Sequence, residues 1–108
     1  MFVTVSVYRA RAGQESAVVA LHEEWQHLRK AGTEGFLSAE LLRSLKDPLS
    51  FIDIARFESE EAARSVVNNP EQSAWYRRLE QLTDGDQELT GCRREWQLDP
   101  DIGSVSRL

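Results

Sequence analysis

The sequence has little of several features that would define a function class. Its single cysteine, Cys92, cannot form a disulfide within the chain and has no second thiol for a metal site. No apolar run approaches the roughly 18 residues of a membrane-spanning helix, and the opening residues do not show the pattern of a secretory signal. The 13 basic residues are scattered among 18 acidic ones, and the net charge is −5, so a nucleic-acid surface is not expected. We therefore expect a cytoplasmic protein that binds neither membranes nor nucleic acid.

The apolar pattern that is present predicts four strands in one domain. The chain has 108 residues, enough for a single modest core. Alternating apolar and polar residues predict strands over 2–10, 35–46, 51–57 and 88–98. The short turn around Pro48 makes the second and third strands an antiparallel hairpin.

Helical spacing and capping residues predict three helices. Apolar residues at steps of three and four place the first helix over 14–31. Ser59 caps a second helix, and the run Asn69-Pro70-Glu71-Gln72 starts a third, with Gln72 reaching back to the cap.

The C-terminal part of the chain has a weaker pattern. Residues 81–87 are interpreted as a loop because they are polar and contain Asp-Gly-Asp. Gly91 is interpreted as a bulge in the fourth strand, and residues 99–108 as a C-terminal tail.

This βαββαβ order favours a ferredoxin-like α+β fold, a four-stranded antiparallel sheet with the helices on one face. The strand period of two separates an apolar sheet face from a mixed one. The apolar face carries Val3, Val5, Val7, Ile52 and Ile54. Exposed patches of this kind usually mark an interface, so a homodimer is expected.

The mixed sheet face, beneath the helices, predicts a binding pocket. It carries Thr4, Ser6, Tyr8 and Asp53 among Phe2, Phe51 and Phe57. Polar groups buried there cost roughly 1–3 kcal/mol each if unpaired. A hollow that admits water or a ligand explains them better than a dry core.

Four segments also match the pattern of a known family. They are the opening strand up to Gly13, the pair Gly35-Phe36, the hairpin 43–48, and the third strand running into 57–62. Over about residues 1–98 the chain resembles the antibiotic biosynthesis monooxygenase domain of the dimeric α+β barrel superfamily. The resemblance implies a homodimer whose two sheets close into a barrel, with residues 99–108 outside the domain.

The resemblance further implies oxidation without a cofactor. Many members of that family are oxygenases acting on aromatic polyketides, anthrones or quinols, whose deprotonated forms can reduce O₂ directly. One branch instead degrades heme with an Asn, a Trp and a His, and the corresponding positions here hold Ser6, Phe57 and Tyr76. None of the three matches, so heme degradation is not expected. His22 and His27 are five residues apart and cannot share the helix face of a zinc motif, so no metal is expected either.

Seven residues are candidates for a site between the helices and the sheet. The candidate catalytic groups are Asp53, Tyr76 and His22, and the candidate substrate-binding residues are Ser6, Tyr8, Phe57 and Trp75. Structural alternatives stay open: His22 could be a hydrogen-bonded core residue, and Asp53 the partner of an arginine or a hydroxyl. Trp75 shares a helical stripe with Leu79 and Leu82, which favours packing, whereas the resemblance directs Tyr76 to the pocket.

Two functions therefore remain open. The first is a cofactor-independent monooxygenase that oxidises an aromatic substrate with O₂. The second is a dimeric module of the same fold that binds a small ligand, or only stabilises a partner, without turnover. The polar lining favours a pocket but does not identify its ligand.

Overall fold

A computed structural model describes residues 1–28 and 34–98 of the protein. The elements in chain order are β1 (Phe2–Ala10), α1 (Glu15–Leu28), β2 (Phe36–Arg43), β3 (Ser50–Phe57), α2 (Glu60–Val67), α3 (Pro70–Leu82) and β4 (Thr83–Arg93). The strands form one antiparallel sheet in the order β2-β3-β1-β4. This is the ferredoxin-like order, so the predicted fold class is confirmed. Among the described helices, none is long and apolar enough to cross a membrane.

Two side-chain caps set the corner between α2 and α3, as the sequence predicts. The Ser59 hydroxyl accepts a hydrogen bond from the Ala62 N–H, and the Asn69 side chain accepts one from the Glu71 N–H. Pro70 occupies the first turn of α3, where its missing N–H costs nothing. The capping role of Gln72 is wrong, however, because its side chain is buried and accepts a hydrogen bond from Trp25.

The start of β4 also differs from the prediction. Residues 81–87 are not a loop, since α3 continues to Leu82 and β4 follows at Thr83. The Thr83 hydroxyl donates to the Leu79 carbonyl and ends the helix, while the free edge of β1 supplies backbone partners for the polar residues that follow. Gly85 has a φ of 77°, next to a register shift between β1 and β4. A glycine tolerates that backbone conformation, so the bulge lies here.

Gly91 therefore has another role than the predicted bulge. Its pairing with Thr4 is regular, and an added Cβ would lie 2.6 Å from the ring of Phe2. Gly91 lets this aromatic ring lie on the sheet.

Three other predicted boundaries change or lie outside the described residues. β2 is shorter than the predicted 35–46 segment, and β4 ends at Arg93 instead of residue 98. The predicted end of the first helix at residue 31 and the predicted tail at 99–108 both lie outside the described part of the chain.

The two sheet faces are as predicted. Thr4, Ser6 and Tyr8 are buried beneath the helices, each with less than a tenth of its surface exposed. On the opposite face Val7 is 54% exposed. Within this single chain, the core lies between the helices and one side of the sheet, and the other side is uncovered.

Candidate active site

A cavity of about 120 Å³ lies between the helices and the mixed face of the sheet. Its walls include the aromatic residues Trp25, Phe57, Trp75 and Tyr76. Polar groups reach it from His22, Asp53, Gln72 and Thr4. Ala39, Glu40, Val67 and Leu89, all exposed, also line it. The cavity is therefore aromatic within, with a small set of polar groups, and opens to solvent.

His22 is held in one orientation by its own helix. Its Nδ1 lies 2.8 Å from the carbonyl oxygen of Val18, one turn earlier in α1. A carbonyl only accepts, so Nδ1 carries a proton and donates it. The ring edge also packs against Trp75, with the ring centroids 4.9 Å apart. Any further proton on this imidazole must therefore bind at Nε2.

Two groups lie close to the Nε2 atom of His22, one on β1 and one on β3. The Tyr8 hydroxyl lies 2.7 Å away and the Asp53 Oδ2 atom 3.2 Å away. Burial raises the pKa of Tyr8 well above its ordinary value, and the negative charge of Asp53 raises it further. Tyr8 thus keeps its proton and can donate it to Nε2, whereas a proton on Nε2 would be donated to Asp53. The three side chains form one proton-sharing cluster.

Asp53 is the member of this cluster best placed to touch a ligand. Its carboxylate lines the cavity and its side chain is 22% exposed. Only Oδ2 faces His22, and Oδ1 has no hydrogen-bond partner within residues 1–28 and 34–98. A ligand hydroxyl could donate to that oxygen.

Tyr76 and Trp75 both line the cavity, although they are adjacent on α3. Trp75 is 3% exposed and its indole N–H donates to the Leu21 carbonyl at 2.8 Å, which fixes it in the core. Burial raises the pKa of Tyr76, the charge of Asp53 adds to the rise, and the polar side chain of Gln72 opposes it. Tyr76 is therefore a neutral phenol at ordinary pH and can donate a hydrogen bond to a ligand oxygen.

Of the seven predicted site residues, five line the cavity: His22, Asp53, Phe57, Trp75 and Tyr76. Tyr8 reaches it only through His22. Ser6 is buried opposite Asp53 on the neighbouring strand and is not part of the lining. Among the described residues, no group of three or more acidic, histidine or cysteine side chains could hold a metal ion.

Among the lining residues that sequence reasoning did not assign to the site, Trp25 adds an aromatic ring and Gln72 a polar group. Trp25 is one of the apolar residues at steps of three and four that predict the first helix, a spacing that indicates an inward-facing side chain but not a place in the site. Gln72 lies one turn before Tyr76 on α3, and this spacing was the available signal that both face the same space.

Comparison with known proteins identifies the family. The family model for antibiotic biosynthesis monooxygenase matches residues 1–78. The fold is similar to that of SnoaB, a cofactor-independent oxygenase from Streptomyces nogalater, with 18% identity, 90% of this chain and 95% of that chain covered, and a TM-score of 0.78. The fold is also similar to that of a protein from Deinococcus radiodurans that bears the family's name, with 16% identity. That match covers 92% of this chain and 97% of the other chain, with a TM-score of 0.76. A comparison with curated proteins finds no match. Such low identities show the fold alone, but the family model covers most of the sequence, and the chain belongs to the antibiotic biosynthesis monooxygenase family.

Proposed function

We propose that the protein is a cofactor-independent monooxygenase, a cytoplasmic homodimer that oxidises an aromatic polyketide, anthrone or quinol with O₂. The observation that carries this proposal is the contact between His22 and Asp53 in the wall of an aromatic cavity. It combines a surface suited to a planar ligand with groups that can accept and hold a proton.

Asp53 and His22 would act as the proton acceptor. An acidic hydrogen of the substrate passes to Asp53, whose other oxygen already faces His22 Nε2. The imidazole would share that proton at Nε2 once the Tyr8 hydroxyl turns away from this atom, because Nδ1 already carries a proton bound to the Val18 carbonyl. Tyr76 donates to the oxyanion that develops on the substrate, which is where a fixed donor lowers the barrier most.

The electrons that reduce O₂ come from the substrate. For an anthrone, the carbanion formed by proton loss transfers electrons to O₂, and a C–O bond forms to give a hydroperoxide. The O–O bond then breaks with loss of water, leaving a quinone carbonyl. One oxygen atom enters the product and the other leaves as water, so no external reductant is needed.

The size of the cavity constrains how such a substrate would bind. An engineered cavity of roughly 150 Å³ in another protein holds one benzene molecule. The 120 Å³ cavity here is of that order. One ring of a polycyclic substrate would lie between Phe57 and Trp75, and the other rings would extend into the mouth near Val67 and Leu89.

The homodimer proposal rests on the uncovered side of the sheet. The apolar set predicted from the sequence lies there, with Val3, Val5, Ile52 and Ile54 only partly buried and Val7 exposed. Burying each such side chain stabilises by roughly 1.5–3 kcal/mol. Proteins of this family are typically small dimeric monooxygenases, which supports the same arrangement.

One observation favours the alternative, a module that binds a small ligand without turnover. Both ring nitrogens of His22 already have partners in the protein, the Val18 carbonyl and the Tyr8 hydroxyl. A histidine satisfied in this way could serve packing alone.

Oxygen uptake separates the two functions. The purified protein is mixed with a panel of anthrones and hydroquinones in an oxygen-electrode cell, with a protein-free blank for spontaneous oxidation. The monooxygenase should consume one O₂ per substrate molecule and give a product in which one oxygen replaces two hydrogens. Ligand binding without uptake above the blank would support the binding module and refute the proposed oxidation.

A further inference from the structure

The hydroxyl of Thr4 is a buried polar group that the protein leaves without a partner. Thr4 lies in β1 beneath the helices, with 8% of its surface exposed, and lines the cavity. The residues directly across the sheet are Ala55 on β3 and Gly91 on β4, and neither has a polar side-chain atom. Within residues 1–28 and 34–98 the hydroxyl makes no hydrogen bond.

This hydroxyl is open to the cavity. In the described part of the chain, no fully enclosed side-chain nitrogen or oxygen lacks a hydrogen-bond partner. The Thr4 oxygen has no partner, so it is not fully enclosed, and the space that Thr4 lines is the cavity. In a dry core a valine would fill the same volume without leaving a hydroxyl unpaired. A ligand oxygen in the cavity would supply the missing hydrogen bond.

The position of Thr4 relative to Asp53 limits which ligand can reach both side chains. Asp53 lies opposite Ser6, and Thr4 lies opposite Ala55, so Thr4 and Asp53 are diagonal neighbours on the same sheet face. Such side chains are roughly 7–8 Å apart. The Oδ1 atom of Asp53 also has no partner within the described residues. Oxygens on neighbouring carbons of an aromatic ring are too close together to reach both side chains, whereas oxygens at opposite ends of one ring span a gap of this order.

We propose that Thr4 is a specificity-determining residue that binds the second oxygen of the ligand, so that the site selects aromatic rings with two oxygens in para positions, as in a 1,4-quinol. One hydroxyl of the ligand donates to Asp53. The opposite oxygen hydrogen-bonds Thr4, whose hydroxyl can either donate or accept. This inference rests on the proposed function for its aromatic ligand class, but not on turnover.

The decisive variant is Thr4→Val, which keeps the shape of the side chain and its preference for a strand but removes the hydroxyl. Thr4→Ser is the conservative variant, because it keeps the hydroxyl and loses only a methyl group. Thr90→Val is the matched control, since Thr90 is exposed and pairs with Val5 on the other face of the sheet. The melting temperature of Thr4→Val should not fall, because no hydrogen bond within the described residues is lost.

Three probes test the second contact: 1,4-dihydroxynaphthalene, 4-methyl-1-naphthol and 1,2-dihydroxynaphthalene. The first carries oxygens at opposite ends of one ring. In the second a methyl group of similar size replaces one oxygen, and in the third the two oxygens are on neighbouring carbons. Dissociation constants are measured by isothermal titration calorimetry without O₂, so that the probes stay reduced and binding is independent of oxidation.

The wild type should bind 1,4-dihydroxynaphthalene about tenfold more tightly than either other probe, the upper range for one hydrogen bond. Thr4→Val should lose this preference and keep its affinity for 4-methyl-1-naphthol. Thr4→Ser and Thr90→Val should retain the preference. A purely structural role of Thr4 would instead weaken the binding of all three probes together.

Equal binding of the three probes by the wild type would overturn the inference and indicate that the Thr4 hydroxyl binds only water. A preference that survives in Thr4→Val, or that Thr4→Ser also loses, would overturn it as well, and so would a marked fall in the melting temperature of Thr4→Val. Failure to bind any probe would overturn it together with the aromatic ligand class. Oxygen uptake without the expected preference would contradict the inference alone, whereas the preference without uptake would support the inference and contradict only the oxidation.

Discussion

Replacing Asp53 by asparagine should nearly abolish turnover and leave the fold stable. The substitution keeps the shape of the side chain and removes its charge. Asp53 is partly open to solvent, and its contact with His22 spans 3.2 Å. His22 keeps its hydrogen bonds to Val18 and Tyr8 in this variant, and the lost contact is partly open to solvent, so we expect the free energy of unfolding to change by less than about 1 kcal/mol.

The kinetic effect should be much larger. A positioned general base contributes typically about 10²–10⁴ in rate. This factor corresponds to roughly 2.7–5.4 kcal/mol in the activation barrier. The rate constant for O₂ uptake should therefore fall by at least about a hundredfold.

Both quantities are measured on the same preparations, uptake with an oxygen electrode and stability by urea unfolding. Asp84→Asn is the matched control, because Asp84 is exposed and faces Arg11 at 3.6 Å, away from the cavity. It should change neither quantity appreciably. Uptake that survives in Asp53→Asn, or stability and uptake that fall together, would refute the assignment of Asp53 as the base.

Four further predictions follow from the fold and the buried groups. The protein should be a dimer by light scattering, and Ile54→Asp should make it monomeric; a stable wild-type monomer at micromolar concentration would contradict the interface. Burial raises the pKa of both tyrosines, so above about pH 10 the unfolded chain loses its phenolic protons first and the free energy of unfolding falls. Urea unfolding should show that the free energy of unfolding falls above about pH 10, and less steeply in Tyr8→Phe than in the wild type. The same pH dependence in both proteins would contradict this prediction. Phe57→Ala should cost roughly 3–5 kcal/mol of stability, as large core truncations do, and a loss below about 1 kcal/mol would show that its surroundings are loose. Elemental analysis and the absorption spectrum should reveal no stoichiometric metal and no heme, and one zinc or iron per chain would disprove this.

The parts of the fold that could be predicted from sequence depend on local chemistry. The apolar residues of β1 and β3 repeat at every second position, and a register shift of one residue would turn them to the other face of the sheet. Ser59 and Asn69 cap their helices through hydrogen bonds to backbone N–H groups no more than three residues away. The start of β4 could not be predicted, because its residues have little strand propensity. They pair because Arg9 and Ala10 of β1 lie opposite them, a relation that only the assembled sheet provides.

In the candidate site, too, the sequence predicts what depends on local spacing and not what depends on how distant segments pack. The alternation of β1 and β3 correctly places Tyr8 and Asp53 beneath the helices, and helical spacing places His22 at the inner edge of α1. The contact between His22 and Asp53 depends on how far α1 lies above the sheet, which no spacing encodes. The sequence pattern around Gln72 predicts a local capping role, but a partner 47 residues away in the chain, Trp25, holds its side chain.

The capped corner between α2 and α3 has a consequence for how this protein can diversify. The corner supplies Val66, Val67, Gln72 and Tyr76 to the cavity, whereas Asp53 projects from the middle of the sheet. Substitutions at Val67, which is exposed, would reshape the entrance without disturbing the hydrogen bonds that hold the strands together. A lineage could therefore acquire new substrates by changing this corner while inheriting Asp53, the proposed proton acceptor.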